Sequence, residues 1–112
     1  MSFFDSDIVR SEMTEVKELQ EEVYDNIMKF NYMNDSDKLY HINVLEKLIE
    51  KQKIVYARLS LSDDPEAKKM KEEITQSAAM MGLPKNVDMS VVFNQMAQMV
   101  SMMKQQLDTS NN

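Results

Sequence analysis

The sequence of 112 residues has no cysteine, no tryptophan, one glycine and two prolines. The absence of cysteine excludes disulfides, thiolate zinc sites, iron–sulfur clusters and a cysteine nucleophile from this stretch of chain. A single glycine argues against a β-sandwich, a β-barrel and a phosphate-binding loop, because tight turns and close backbone approach need glycine. The sequence also lacks a signal-like start and an apolar run near the ~18 residues of a membrane span. We therefore expect a soluble, cytoplasmic protein without a membrane segment.

The charge is acidic overall, and no basic region is concentrated enough to form a patch. Nineteen Asp and Glu residues against thirteen Lys and Arg residues give −6, and eight of the acids lie within residues 1–30. Binding through phosphate groups needs a basic patch, so we expect no direct contact with nucleic acid. With 43% hydrophobic residues the chain can form a core, and its length fits a single domain over residues 1–112.

Apolar residues at steps of three and four predict two long helices in the first half of the chain. The first runs from about Asp5 to Phe30, and the second follows the cap-forming residues 34–36 and ends near Ser60. The short connection between them predicts an antiparallel helical hairpin over residues 1–62. We expect this hairpin to be the stable unit of the protein.

The second half of the chain predicts two more helices, which makes the fold class all-α. Asp64 is suited to cap a short third helix that begins at Pro65 and ends at Met81, and Gly82 is suited to a left-handed C-cap. The thin apolar stripe of this helix predicts a weak, mobile element within residues 63–87. An amphipathic fourth helix is expected over residues 88–108, with residues 109–112 as a tail. Whether the fourth helix packs on the hairpin or on another chain stays open.

The fourth helix carries one charge between Met89 and Gln106, at Lys104. Its apolar stripe is expected to face inward and comprises Met89, Val92, Phe93, Met96, Met99, Val100, Met103 and Leu107. Four residues fall near the opposite face of the helix, and they are Val91, Gln95, Gln98 and Met102. A stripe at helical spacing is typical of a core, and this interpretation accounts for Met96, Met99 and Met103. The uncharged opposite face is typical of an adaptable binding surface, because methionine side chains are flexible and polarizable.

Two further groups near the start of the chain are candidates for binding a protein partner. Glu15, Glu18, Glu22 and Asp25 form an acidic stripe that is expected to lie roughly opposite the apolar face of the first helix. Such a stripe is either a solvated face or a contact for a basic protein surface. Phe3 and Phe4 either pack against the first helix or form an exposed aromatic anchor.

Tests for catalytic and metal sites fail on the residues themselves. His41 is the only histidine and lies inside a predicted helix, without the turn-held nucleophile that a catalytic triad needs. A Glu-x-x-His metal motif would need a carboxylate where Lys38 stands. A calcium loop that began at Asp35 would have Tyr40 where glycine is required. We therefore expect neither an enzyme nor a metal or cofactor site.

Three segments carry a resemblance to a known family: FFDSDIV at residues 3–9, RLSLSDDPEA at 58–67 and FNQMAQMVSMMKQQL at 93–107. Together they resemble a family of small helical proteins of cyanobacteria and their phages, a domain of unknown function. The resemblance implies a helical fold and a biological setting, but no catalytic residues. We expect a non-enzymatic protein that binds and modulates a host or phage protein assembly, such as nucleic-acid-handling or transcription machinery. The alternative is a structural, self-assembling coiled-coil or virion component, and a homo-oligomer is compatible with both.

Overall fold

The structure, a computed structural model, describes residues 3–80, 82 and 88–110, and all regular structure in these residues is helical. The four α-helices are α1 (Asp7–Ile27), α2 (Asp35–Leu61), α3 (Pro65–Met80) and α4 (Met89–Ser110). Short 3₁₀ turns lie at Phe3–Asp5 and Phe30–Tyr32. The all-α fold class is confirmed. Met81 and Val87, and with them the predicted end of α3, lie outside the described residues.

Capping side chains explain where three of the helices begin. Asn34 Oδ1 accepts the Asp37 N–H at 2.8 Å, and Asp64 Oδ1 accepts the Glu66 N–H at 2.9 Å. These bonds satisfy amides that have no partner inside the helix. At the start of α4, Asp88 accepts bonds from the hydroxyl and the N–H of Ser90, which lower the pKa of the Asp88 carboxyl. Gly82 has φ +98°, as a left-handed C-cap requires.

Helix α1 is shorter than the sequence predicts at both ends. Ser6 adopts an extended conformation and accepts the Val9 N–H at 3.5 Å, so the helix begins after it and the preceding residues form a separate 3₁₀ turn. At the other end, Asn26 Nδ2 donates to the Glu22 carbonyl. The backbone hydrogen bonds that follow join residues three apart, as in a 3₁₀ turn, so the α-helix ends there. Helix α4 is longer than predicted, because it continues through residues 109 and 110.

Helices α1 and α2 form the predicted antiparallel hairpin. Contacts along it run in opposite directions on the two helices, from Arg58 Nε with Glu12 at 2.8 Å to Tyr40 Oη with Glu22 at 2.8 Å. On the same interface, Val23 packs with Val44 and Leu48. The prediction held because short connections bring consecutive helices side by side.

Helix α4 packs on the hairpin, which answers the question that the sequence left open. It lies antiparallel along α2, since Lys53 bonds to Asn94 at 3.2 Å and Lys104 pairs with Glu46 at 3.4 Å. Along this contact, buried residues of both helices form one cluster comprising Ile42, Ile49, Met89, Phe93 and Val100. Helix α2 therefore lies between α1 and α4 and buries apolar residues on both sides.

Helix α3 contributes to the core, which its thin apolar stripe did not predict, whereas the expectation of a weak, mobile helix stays a prediction. Ala67 is 0% exposed and packs with Val55 and Leu59 of α2. Half-buried Leu45, Val16 and Ile74 each belong to two of the three apolar clusters, so these clusters form one connected core. A small residue such as alanine lets two helices approach closely, which a count of large apolar residues does not register.

Candidate protein-interaction surface

Phe3 and Phe4 are packed rather than presented as an exposed anchor. Both are half-buried, their rings lie 5.1 Å apart edge to face, and they pack against the cluster around Leu59. The Phe3 N–H also donates to the carboxylate of Asp64, whose other oxygen caps α3. Two of the segments that carry the family resemblance therefore meet in space, at the junction of α2 and α3.

Two residues of the predicted acidic stripe contact α2, and the other two are exposed to solvent. Glu15 and Glu22 lie on the flank of α1 that adjoins α2, where they contact Lys51 Nζ at 3.0 Å and Tyr40 Oη at 2.8 Å. These carboxylates raise the pKa of both partners. The expected position opposite the apolar face is therefore wrong for these two residues. Exposed Glu18 and Asp25 are the members of the stripe that face solvent.

The inward stripe of α4 is narrower than the sequence predicts. Met89, Phe93 and Val100 are buried and form what we call the buried row. Met96 and Met99 were expected in the same stripe but are 37% and 66% exposed. The cause is geometric: α2 is the main neighbour of α4, and one helix covers only part of an apolar arc that spans about 120°.

Val91, Gln95, Gln98 and Met102, which we call the outer face, lie on the surface as predicted. All four are exposed, with Val91 at 47% and Met102 at 59%. At about 100° per residue they are centred some 170° around α4 from the buried row. The one charged residue between Met89 and Leu107 is Lys104, which is paired with Glu46. The outer face is therefore an uncharged surface that includes two exposed apolar side chains.

His41 is a buried histidine at the start of α2 and is 5% exposed. Its ring lies 5.4 Å from that of Phe30, and it borders a depression with Glu22 and Asp37. Burial lowers the pKa of His41, and the nearby Glu22 carboxylate opposes part of that effect. No group of three or more His, Asp or Glu side chains suited to a metal ion occurs in the described part of the chain.

Acidification is expected to destabilise the protein through His41. Its pKa in the folded protein lies below the ordinary 6.5, so the unfolded chain binds the proton more readily. This contribution to stability is complete above pH ~7, decreases as the pH falls through about 6.5, and stops changing below the folded pKa. Urea unfolding of the protein and of His41→Gln, from about pH 5 to pH 8, measures it. Other titrating groups are common to both proteins, so a difference in unfolding free energy that stays constant with pH would contradict the expectation.

Sequence reasoning missed a second row of apolar residues beside the buried row, two of which are exposed. Val92, Met96, Met99 and Met103 recur at steps of four, three and four, which is itself a helical stripe. Val92 and Met103 are half-buried at the edge of the core, whereas Met96 and Met99 are exposed. The width of the apolar arc could have predicted this exposure, because the arc is wider than a single neighbouring helix covers. We call these four residues the lateral stripe.

None of the helices in the described ranges is both long and apolar enough to cross a membrane. Comparison with known proteins gave one result that bears on family. Residues 1–107 match the family model described as a domain of unknown function, DUF1825. Neither a curated protein nor a solved structure matched the chain. Because the family model covers nearly the whole sequence, the chain belongs to the DUF1825 family.

Proposed function

We propose that the protein is a non-enzymatic interaction protein that binds a protein assembly through the outer face of α4 and modulates it. The observation that carries this proposal is the exposure of Val91 and Met102 on a surface that lacks charge. A solvated helix face usually carries charged residues, whereas the centre of a protein interface is depleted in them and enriched in methionine. Among the residues that the structure describes, the packing of α4 on α2 leaves this face exposed.

The chemistry of the outer face fits a partner that buries a helix in an apolar groove. Val91 and Met102 are eleven residues apart, or three turns, and lie on the same side of α4. Gln95 and Gln98 stand between them and can bond to polar groups at the rim of such a groove. Flexible methionine adapts to the shape of the groove.

Exposed acidic residues on α1 support a partner with a basic surface. Glu18 and Asp25 face solvent, and the whole chain carries a charge of −6. Charges of this kind accelerate the encounter with an oppositely charged protein more than they strengthen the final complex. A nucleic-acid-binding protein presents such a surface, which favours the transcription or nucleic-acid-handling machinery as the assembly.

From the resemblance noted in the sequence, we infer that this function operates in cyanobacteria or their phages, within the host cytoplasm. The runner-up function is a structural, self-assembling component. The two functions differ in what occupies the outer face: a different protein in the first, and further copies of this chain, in an open array, in the second.

The test combines Val91→Lys with Met102→Lys and compares what the purified proteins capture from a cyanobacterial lysate. A protein captured by the unmodified chain is expected to be lost or strongly depleted with the double variant, because a charge forced into a desolvated contact costs several kcal/mol. The unfolding free energy should change by no more than about 0.5 kcal/mol, since both positions are exposed. Capture is read by mass spectrometry and stability by thermal unfolding.

The matched control is Met28→Lys with Met80→Lys, which adds the same charge at residues outside α4 that are 84% and 89% exposed. This control should still capture the partner. Val100→Lys, in the buried row, should instead destabilise the fold. Equal loss of the captured protein with both double variants would contradict the proposal, because general charge and not the outer face would then be responsible.

A further inference from the structure

The protein exposes more surface than its mass predicts for a monomer. A 13.1 kDa globular chain is expected to expose about 6,400 Å², and this chain exposes 8164 Å². Its radius of gyration is 16.0 Å, against about 13 Å expected for its length. The extents of 52 × 31 × 20 Å describe a flat, elongated molecule. The surplus of about 1,800 Å² exceeds the ~800 Å² that each partner contributes to an interface of standard size.

The lateral stripe is the part of α4 best placed to bury some of this extra surface in an interface. Met96 and Met99 are 37% and 66% exposed, and Val92 and Met103 extend the same row at its two ends. At about 100° per residue, the stripe is centred some 70° from the buried row and some 100° from the outer face. It therefore adjoins the core, so a neighbour seated there would continue the apolar interior of the protein.

The spacing of the lateral stripe is the same when read in either direction. Its steps of four, three and four are symmetric about the midpoint between residues 97 and 98. When a second α4 lies antiparallel across this midpoint, Val92 faces Met103 of the second copy and Met96 faces its Met99. A two-fold symmetric contact requires self-complementarity of this kind, because the same patch serves both chains.

The charge on α4 permits the same pairing. Each chain carries −6, so two copies repel each other wherever their acidic surfaces meet. Within α4, Lys104 is the one charge from Met89 to Leu107, and it pairs with Glu46 of α2. A contact along the lateral stripe therefore brings no pair of like, unpartnered charges of α4 together.

We propose that the lateral stripe binds the lateral stripe of a second copy of this chain, so that the protein is a two-fold symmetric dimer joined by antiparallel α4 helices. This inference does not rest on the proposed function, because it uses a different face of α4 and a different partner. The dimer carries two outer faces, one on each side, and can therefore bind two copies of a partner.

Light scattering coupled to size-exclusion chromatography tests the dimer with the pure full-length protein. The unmodified protein is expected at twice 13.1 kDa at high micromolar concentration. Met96→Lys with Met99→Lys should give a monomer, with a dimer Kd raised about 100-fold or more, because each lysine would be buried against an apolar row. Val91→Lys with Met102→Lys, on the outer face, should stay dimeric.

Circular dichroism shows whether the lysine variants remain folded. If they do not, thiol cross-linking tests the dimer instead. The chain has no cysteine, so Met99→Cys introduces a single thiol per chain. A short bis-maleimide should link two copies through position 99, and Met28→Cys, on an exposed methionine outside α4, should not be linked. A monomeric unmodified protein, a dimer that survives the lateral variants while folded, or equal linking at positions 28 and 99 would each overturn the proposal. Loss of the dimer in the outer-face variant would also overturn it, whereas loss of the captured partner alone bears on the proposed function.

Discussion

A chain that ends at residue 62 is expected to lose the cooperative unfolding transition of the full-length protein. Removing α4 uncovers Ile42 and Ile49, which are 1% and 6% exposed in the whole chain, and removing α3 uncovers Leu59. The remaining hairpin would keep one helix–helix interface, and a single pair of helices offers little apolar burial against the entropy of ordering the chain. Circular dichroism at increasing temperature should show reduced helicity that declines gradually.

The control for this truncation is a chain that ends at residue 108, which removes no buried residue of the described core. It should unfold in the same cooperative transition as the full-length protein. The sequence alone favoured the hairpin as the stable unit, and that expectation requires the 62-residue chain to stay soluble and to keep most of its helical circular dichroism per residue. A sharp transition at a temperature close to that of the whole protein would show that α3 and α4 add little to stability.

Leu59→Ala is expected to lower the free energy of unfolding by about 2–5 kcal/mol. Leu59 is 1% exposed and lies where α2 meets Ala67 of α3 and the aromatic pair Phe3 and Phe4. Truncating it removes apolar burial and leaves a cavity between three segments that the chain connections prevent from closing fully. Because whole domains are stable by only about 5–15 kcal/mol, urea unfolding should detect this loss easily.

Leu61→Ala provides a matched control two residues away on the same helix. Leu61 is 86% exposed, so the same chemical change there should alter the unfolding free energy by no more than about 0.5 kcal/mol. Equal losses at positions 59 and 61 would indicate that helix propensity, and not packing at the α2–α3 junction, determines the effect.

Much of the fold follows from local signals in the sequence. Capping residues such as Asn34, Asp64 and Asp88 begin helices because their side chains bond to free backbone amides, and these interactions are confined to one turn. The hairpin follows from its short connection. The position at which α4 packs could not be predicted, because periodicity identifies an apolar face without identifying the neighbour that covers it. Ala67 gave no signal, since its contribution is the close approach of α3 to α2.

The candidate surface was predictable in part for the same reason. Residues opposite the apolar arc of α4, such as Val91 and Met102, are exposed whichever neighbour covers that arc. Met96 and Met99 lie within the arc, so their exposure depends on where α2 is placed against it. Glu15 and Glu22 likewise became contacts of α2 because the hairpin brought Lys51 and Tyr40 beside them.

The position of α2 between its two neighbours has an evolutionary consequence. Residues on one side of α2, such as Val44 and Leu48, meet α1, and residues on the other side, such as Ile42 and Ile49, meet α4. A substitution at a buried position on either side must suit a neighbouring helix, so α2 is constrained on two sides. Helices α1 and α4 each pack mainly against α2, so substitutions at their outward residues should be tolerated more readily than substitutions at the buried residues of α2.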